Sequence, residues 1–208
     1  MNRHTLLGLC AILLASVAGC SESPTETLSP DFDLLTKVAD RNAVVGSASG
    51  SGHTPCGPNP DSPFLCGTDD GSLLRTFSFN ARLKADGSVS GRAQFINRDN
   101  GRELKVDIDC VRFFGADMNR AWMIGTITHS TSASDPVGLV IGFAVEDNGE
   151  GNGADPDRTT GWAPGPPFFV SLICDGGDDG GVPDFAFDNL FSYETVNGNI
   201  QVRAPDAS

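Results

Sequence analysis

Basic residues are scarce in this 208-residue chain: 14 Lys and Arg stand against 27 Asp and Glu, a formal net charge of −13. That balance excludes nucleic acid as a partner, because neutralising phosphates takes clustered Lys and Arg. Histidine occurs only three times, as His4, His53 and His129. Because His4 falls in the expected leader segment over 1–19, only His53 and His129 remain, so a histidine metal cluster is excluded and a Ser–His–Asp triad has little to draw on. No C-x-x-C, H-E-x-x-H, G-x-S-x-G or phosphate-binding Gly-Lys loop occurs, so the usual signatures of thiol oxidoreductases, zinc hydrolases and nucleotide enzymes are missing. Long apolar runs are also lacking. Leu6 to Ala18 falls short of the about 20 residues needed to span a bilayer.

What is present suffices for a core. Hydrophobic residues make up 39% of the chain, with 13 Phe. The 25 Gly and 13 Pro point to many turns and few long helices.

The first residues read as an address. Met1 to His4 is basic, Leu6 to Ala18 is apolar, and small residues follow, the layout of a secretory signal peptide over 1–19. Ser16-Val17-Ala18-Gly19-Cys20 resembles the lipobox of bacterial lipoproteins. The resemblance implies cleavage before Cys20, lipid on that cysteine and, with Ser21 following it, sorting to the outer membrane. Several acyl chains on one cysteine suffice for stable anchoring, whereas one is marginal. The expected partner is thus a membrane, reached through the N-terminal lipid.

Removing 1–19 takes away Arg3 and Cys10, leaving a mature charge of −14 and, besides Cys20, the cysteines Cys56, Cys66, Cys110 and Cys174. An even number in an exported chain favours disulfides, with three pairings open. Cys56 and Cys66 lie close in a Pro/Gly-rich stretch, so a local staple there and a Cys110–Cys174 bridge is the first choice. The alternative for the second pair is two separately buried thiols.

Residues 20–55 read as the lipidated cysteine and a flexible tether. Ser21 to Thr27 and Gly46 to Gly52 are small and polar, and a coil of that length spans roughly 30–35 Å. Leu34, Leu35 and Val38 lie at helical spacing between them, with Asp31 as a cap.

Residues 56–205 form the expected folded domain. Phe77, Phe79, Ala81 and Leu83 alternate with polar residues; after Asp86-Gly87 the alternation resumes with Val89, Gly91, Ala93 and Phe95. Such patterning around Asp-Gly predicts a hairpin. Further strands follow at Leu104–Cys110, Ala121–Ile127 and Leu139–Val145. The spacing then loosens into a loop from Asn148 to Pro166. The apolar run Phe168–Cys174 reads as another strand, and Asn199–Arg203 as the last. The prediction is all-β: an antiparallel meander of about seven strands forming a β-sandwich or small barrel. A membrane-spanning barrel is disfavoured, because Arg82, Lys84, Arg92 and Gln94 occupy the face opposite the core.

Phe77-x-Phe79, Gly87-x-Val89-x-Gly91-x-Ala93-x-Phe95, Cys110, Ala121, Gly125 and Phe143-x-Val145-Glu-Asp-Asn-Gly149-Glu-Gly151 resemble a type of secreted bacterial β-domain with no assigned activity. The resemblance spans roughly residues 75–157 and implies a fold, not a function. Ala116-Asp117-Met118 is an insertion relative to it, which leaves the register of that hairpin open.

Two acidic, Gly-rich loops are candidate calcium sites, since calcium takes six to eight oxygen ligands. One holds Asp147, Glu150, Asp155 and Asp157; the other Asp175, Asp178, Asp179 and Asp184. Neither has EF-hand spacing, and solvated turns are the competing reading. Asp107 and Asp109 alternate with Val106 and Ile108 as solvent-facing residues do. Residues 135–208 carry 13 acidic and 2 basic groups, so most of the net charge is concentrated after the meander. Val111, Phe113, Trp122, Ile124 and Val140 lie opposite the first core. Either another element covers them, or Trp122, Phe113 and Ile124 line a ligand groove.

The expected function is a non-enzymatic, lipid-anchored cell-envelope domain acting in structure or binding. The alternative is a small-ligand or carbohydrate-binding module, with calcium in the acidic loops as its only candidate cofactor. Nothing in the residues names a protein, peptide or glycan partner.

Overall fold

The alternation from Phe77 onward builds what it predicts. In the structure, a computed structural model, the described residues are 40–55, 74–98, 101–151, 153–165, 167–175, 184, 187–188 and 192–206. The signal peptide, Cys20, nearly all of the 31–42 helix, Cys56, Cys66, Asp178 and Asp179 lie outside them.

Strands β1 (Val44–Pro55), β2 (Leu74–Lys84), β3 (Val89–Asn97), β4 (Arg102–Phe114), β5 (Arg120–Ser130) and β6 (Val140–Glu146) pair antiparallel in chain order. Short β7 (Arg158–Thr160) and β8 (Ala163–Pro164) both pair with β6, and β9 (Ser192–Glu194) extends the sheet beyond β7. The final strand β10 (Val196–Arg203) returns to pair with β1. The result is an all-β antiparallel meander nearly closed into a barrel, and the choice between sandwich and barrel falls to the barrel.

Asp86-Gly87 makes the first hairpin as expected. Gly87 has φ +82°, and the Asp86 carboxylate accepts the Ser88 N–H at 2.9 Å. The resulting register sets Phe77 opposite Phe95 and Phe79 opposite Ala93. Their side chains fill the barrel with Phe143 and Trp162; Phe95 meets Phe143 edge-on at 5.0 Å. Residues 115–119 make the turn between β4 and β5, whose pairing begins with Phe114 opposite Arg120.

Three sequence expectations are corrected. The first concerns Gly46 to Gly52, which is not tether but the middle of β1, so the folded domain begins by Val44 rather than at 56. Its Gly/Ser composition hides a period of two. Gly46, Ala48, Gly50 and Gly52 point inward and Ser47, Ser49 and Ser51 outward. The inward positions must be small because aromatic rings from the other strands crowd them: a Cβ on Gly46 would sit 2.8 Å from the Phe113 ring, and one on Gly50 3.0 Å from Phe79.

Second, Pro167–Cys174 is a helix, α1, and not a strand. A short apolar run is ambiguous by periodicity, and Pro at the first helical position favours the helical solution. The expected loop 148–166 also contains β7 and β8.

Third, β4 does not keep one face throughout. Ile108 pairs with Gly125 and Cys110 with Ile124, so Asp109 is an extra residue in β4. This bulge turns Cys110 and Phe114 outward and sends Val111 and Phe113 toward the barrel interior.

Candidate functional site

The acidic loop Asp147–Asp157 connects β6 to β7 and lies along the seam where β10 has no ladder partner. One edge of β10 is bonded to β1. On its other edge the N–H groups of Ile200 and Val202 point to the loop, because residues two apart share an edge. Asp157 Oδ2 accepts the Ile200 N–H at 2.7 Å, and Asp147 Oδ2 accepts that of Val202 at 2.9 Å. Their other oxygens accept N–H groups of the loop itself, Asn148 on Asp157 and Gly149 on Asp147. The side chains of Asn199 and Gln201 both donate to Glu150 Oε1, each at 3.0 Å. Carboxylates thus stand in for the missing strand and close the barrel.

A cavity of about 370 Å³ lies beside this seam, between Glu150, Asp155 and Asp157 on one side and Asn197 and Asn199 on the other. Asp155 is exposed. Among the described residues, no three His, Cys, Asp or Glu come together as a metal-holding group. Of the second acidic loop, Asp175 accepts a hydrogen bond from the Ser171 hydroxyl and Asp184 pairs with Arg120 at 2.9 Å.

The bonds from Gln201 and Asn199 hold the Glu150 carboxyl below the usual carboxylate range. A depressed folded-state pKa contributes stability above the unfolded value, and that contribution fades as pH falls through the folded value. The urea midpoint of wild type should therefore exceed that of Glu150→Gln by more at pH 6 than at pH 3. An equal difference at both pH values would contradict this coupling.

A second charged group lies on the outer wall. Arg120 of β5 is directly opposite Glu146 of β6, which in turn faces Arg158 of β7. Glu146 is buried and accepts from Arg120 at 2.6 Å and Arg158 at 3.3 Å. Asp188 bridges the two arginines from outside, at 3.2 and 3.4 Å, and both guanidinium groups lie 5.0 Å from the Phe187 ring centre. Burial disfavours the charge on Arg120, but its bonds to Glu146 and Asp188 outweigh that and hold its pKa above the ordinary value. Sequence reasoning missed this group. Its signal was Glu146, a lone charge ending an apolar strand.

The proposed ligand face on Trp122 is not open. Trp122 is 3% exposed and Ile124 2%. They pack with Phe114, Ala144, Phe187 and, from α1, Ile173, while Val170, Cys110 and Cys174 border the cluster. A disulfide joins Cys110 to Cys174, with Cα atoms 5.8 Å apart, and Arg112 donates to the Leu172 carbonyl at 3.0 Å. These ties hold α1 over Trp122. Simple alternation puts Phe113 on the same face, but the bulge packs it against the barrel core. The groove is thus closed by the very run that reads as a strand.

Trp162 closes part of the barrel interior elsewhere. It packs on Phe95 at 5.3 Å, and Arg75 and Arg102 lie 5.2 and 5.5 Å from its ring. Arg102 is ion-paired with buried Asp135. Burial lowers the pKa of both arginines. Trp162 lies in the stretch that reads as a loop, and no periodicity marks it.

Another concavity lies on the outer face of β2–β4, with a volume of about 450 Å³. Two rows of polar side chains cross these strands in register: Ser78–Gln94–Lys105 and Asn80–Arg92–Asp107. Thr128, the extra residue of a bulge in β5, borders the groove. The outward positions are legible from alternation, but their alignment into rows depends on register.

No protein-family model matches this chain, and no curated protein or solved structure matches it either.

Proposed function

We propose that this chain is a lipoprotein of the bacterial cell envelope, anchored through lipid on Cys20 and sorted to the outer membrane, whose β-barrel acts in binding or structure rather than catalysis. The observation that carries the anchoring is the Ser16–Cys20 lipobox at the end of a short apolar run behind a basic start. The barrel begins only at Val44, so the lipid would lie outside it. β1 starts at the same end of the barrel as the 85–88 and 115–119 turns.

The use of the polar groups supports the non-catalytic half. Asp147, Glu150 and Asp157 close the seam, and Glu146, Asp184 and Asp188 neutralise arginines. A general acid or base needs a proton to exchange with substrate, and these carboxylates are spent on main-chain N–H groups, amides and guanidiniums.

The Cys20→Ala variant tests the anchor. Wild type should take up labelled fatty acid and fractionate with membranes. The variant should lose the label and be either uncleaved or released in soluble form. A cleaved variant that still fractionates with membranes as wild type does would overturn the proposal.

A further inference from the structure

The outer groove of β2–β4 combines shape, charge balance and hydrogen-bonding capacity. Its residues lie mid-strand in β2 and β3 and in the first half of β4. The rows run across the strands, so a ligand lying along the strand direction meets both at once. Side chains two apart on a strand are about 7 Å apart, which sets the spacing between the rows. The intervening residues Phe79, Ala93 and Val106 turn into the barrel, so main chain forms the floor.

Each cation at the groove has a local counter-charge. Arg92 faces Asp107 at 3.6 Å, and Lys105 faces Glu103 at 3.4 Å, to which Gln94 also donates at 2.8 Å. The balance is neutral in a chain whose acidity lies elsewhere. It offers no net attraction to a phosphate, a carboxylated chain or a polycation. No aromatic or large aliphatic side chain is exposed in the groove, which leaves an apolar ligand nothing to bury. What the lining offers is a mixed field of donors and acceptors: two carboxamides, two hydroxyls, a guanidinium, an ammonium and a carboxylate. That is the complement of a neutral polyhydroxylated molecule, each of whose hydroxyls both donates and accepts.

We propose that this groove binds a neutral saccharide, as a stretch of a neutral glycan chain lying along the strands across the Ser78–Gln94–Lys105 and Asn80–Arg92–Asp107 rows. The proposal rests on the binding half of the function given above. It moves recognition from the buried Trp122 to an exposed polar surface, and it needs neither calcium nor an aromatic platform. Without stacking, affinity comes from hydrogen bonds alone, so single sites bind weakly and longer chains better.

The experiment is a glycan array probed with the detergent-solubilised full lipoprotein, followed by calorimetric titration of the best neutral oligosaccharide. Chitotetraose, cellotetraose and maltotetraose form the neutral set; a heparin tetrasaccharide and a mixed peptide pool are the controls. Binding to a neutral member is expected. The Asn80→Ala/Gln94→Ala pair should weaken it about tenfold or more, since each removes one or two hydrogen bonds. Thr128→Trp, which fills the groove from its border, should abolish it. Asn80 and Thr128 are exposed and Gln94 is half-buried on the outer face, so thermal midpoints should fall by no more than about a few degrees. Binding that survives in both variants would leave a saccharide-binding protein with its site elsewhere, and the groove assignment would be wrong. Binding only to heparin or only to peptides, or to nothing, would overturn the saccharide inference; membrane fractionation tests the anchored reading separately.

Discussion

Reducing the Cys110–Cys174 disulfide should destabilise the barrel by about 4 kcal/mol and uncover Trp122. The bridge spans 64 residues of sequence, and in the chain-entropy model a loop of that size restricts the unfolded chain by about that amount. The native state loses something as well. α1 is only eight residues long and covers the outer cluster of Phe114, Trp122, Ile124 and Phe187. An isolated helix of this length is unstable, so its position depends on packing and on the bridge. Urea unfolding of the Cys110→Ala/Cys174→Ala pair against the oxidised protein measures the first effect. The second is read from Trp122 emission in a Trp162→Phe background, where reduction should shift the spectrum to the red before global unfolding. A midpoint indifferent to reductant, with unshifted emission, would show that packing alone holds the helix.

Asp157→Ala should cost about 3 kcal/mol, more than is expected of either other seam carboxylate. Asp157 is 7% exposed and accepts two main-chain N–H groups, those of Ile200 and Asn148. Hydrogen bonds to a charged group contribute about 1.5–3 kcal/mol, and the Ile200 N–H would be left buried without an acceptor. Asp147→Ala should cost less, since Asp147 is less buried, and Glu150 bonds only exposed side chains. Denaturant midpoints of the variants measure the cost, and hydrogen exchange at the Ile200 amide should accelerate first in Asp157→Ala. The same occupancy bears on calcium. Oxygens already accepting N–H groups are poorly placed to ligate a cation, so the wild-type melting midpoint should be equal in chelator and in millimolar calcium. A midpoint raised by several degrees in calcium would make the loop a cation site after all.

Some of this was legible residue by residue. Phe77 to Phe95 alternates with period two around Asp86-Gly87, and the hairpin and its inward face follow from that alone. The same rule was legible in Gly46 to Gly52, where Ser at every other position marks the outward face of β1. Composition masked it, because glycine and serine are also what a linker is made of. The helix α1 was only partly legible: Phe168 to Cys174 is apolar enough for either structure, Pro167 favours a helix, and the covered face of β4–β6 completes the choice. The candidate sites divide in the same way. The acidic loop stood out by its Asp and Gly, but that the N–H groups of Ile200 and Val202 are its partners depends on a strand some fifty residues away.

From its own residues the chain determines the alternation that makes strands β2–β6, the turns between them and the concentration of acid after residue 135. These are local matters: side-chain direction alternates along any extended chain, and Gly or Asp at a turn acts on its immediate neighbours. Tertiary structure decided the rest. One extra residue at Asp109 moved Phe113 into the barrel core and Cys110 out to meet Cys174. Closing the sheet left β10 with an unpaired edge, and buried N–H groups must find acceptors. That requirement makes a loop rich in Asp and Gly the seam of the barrel.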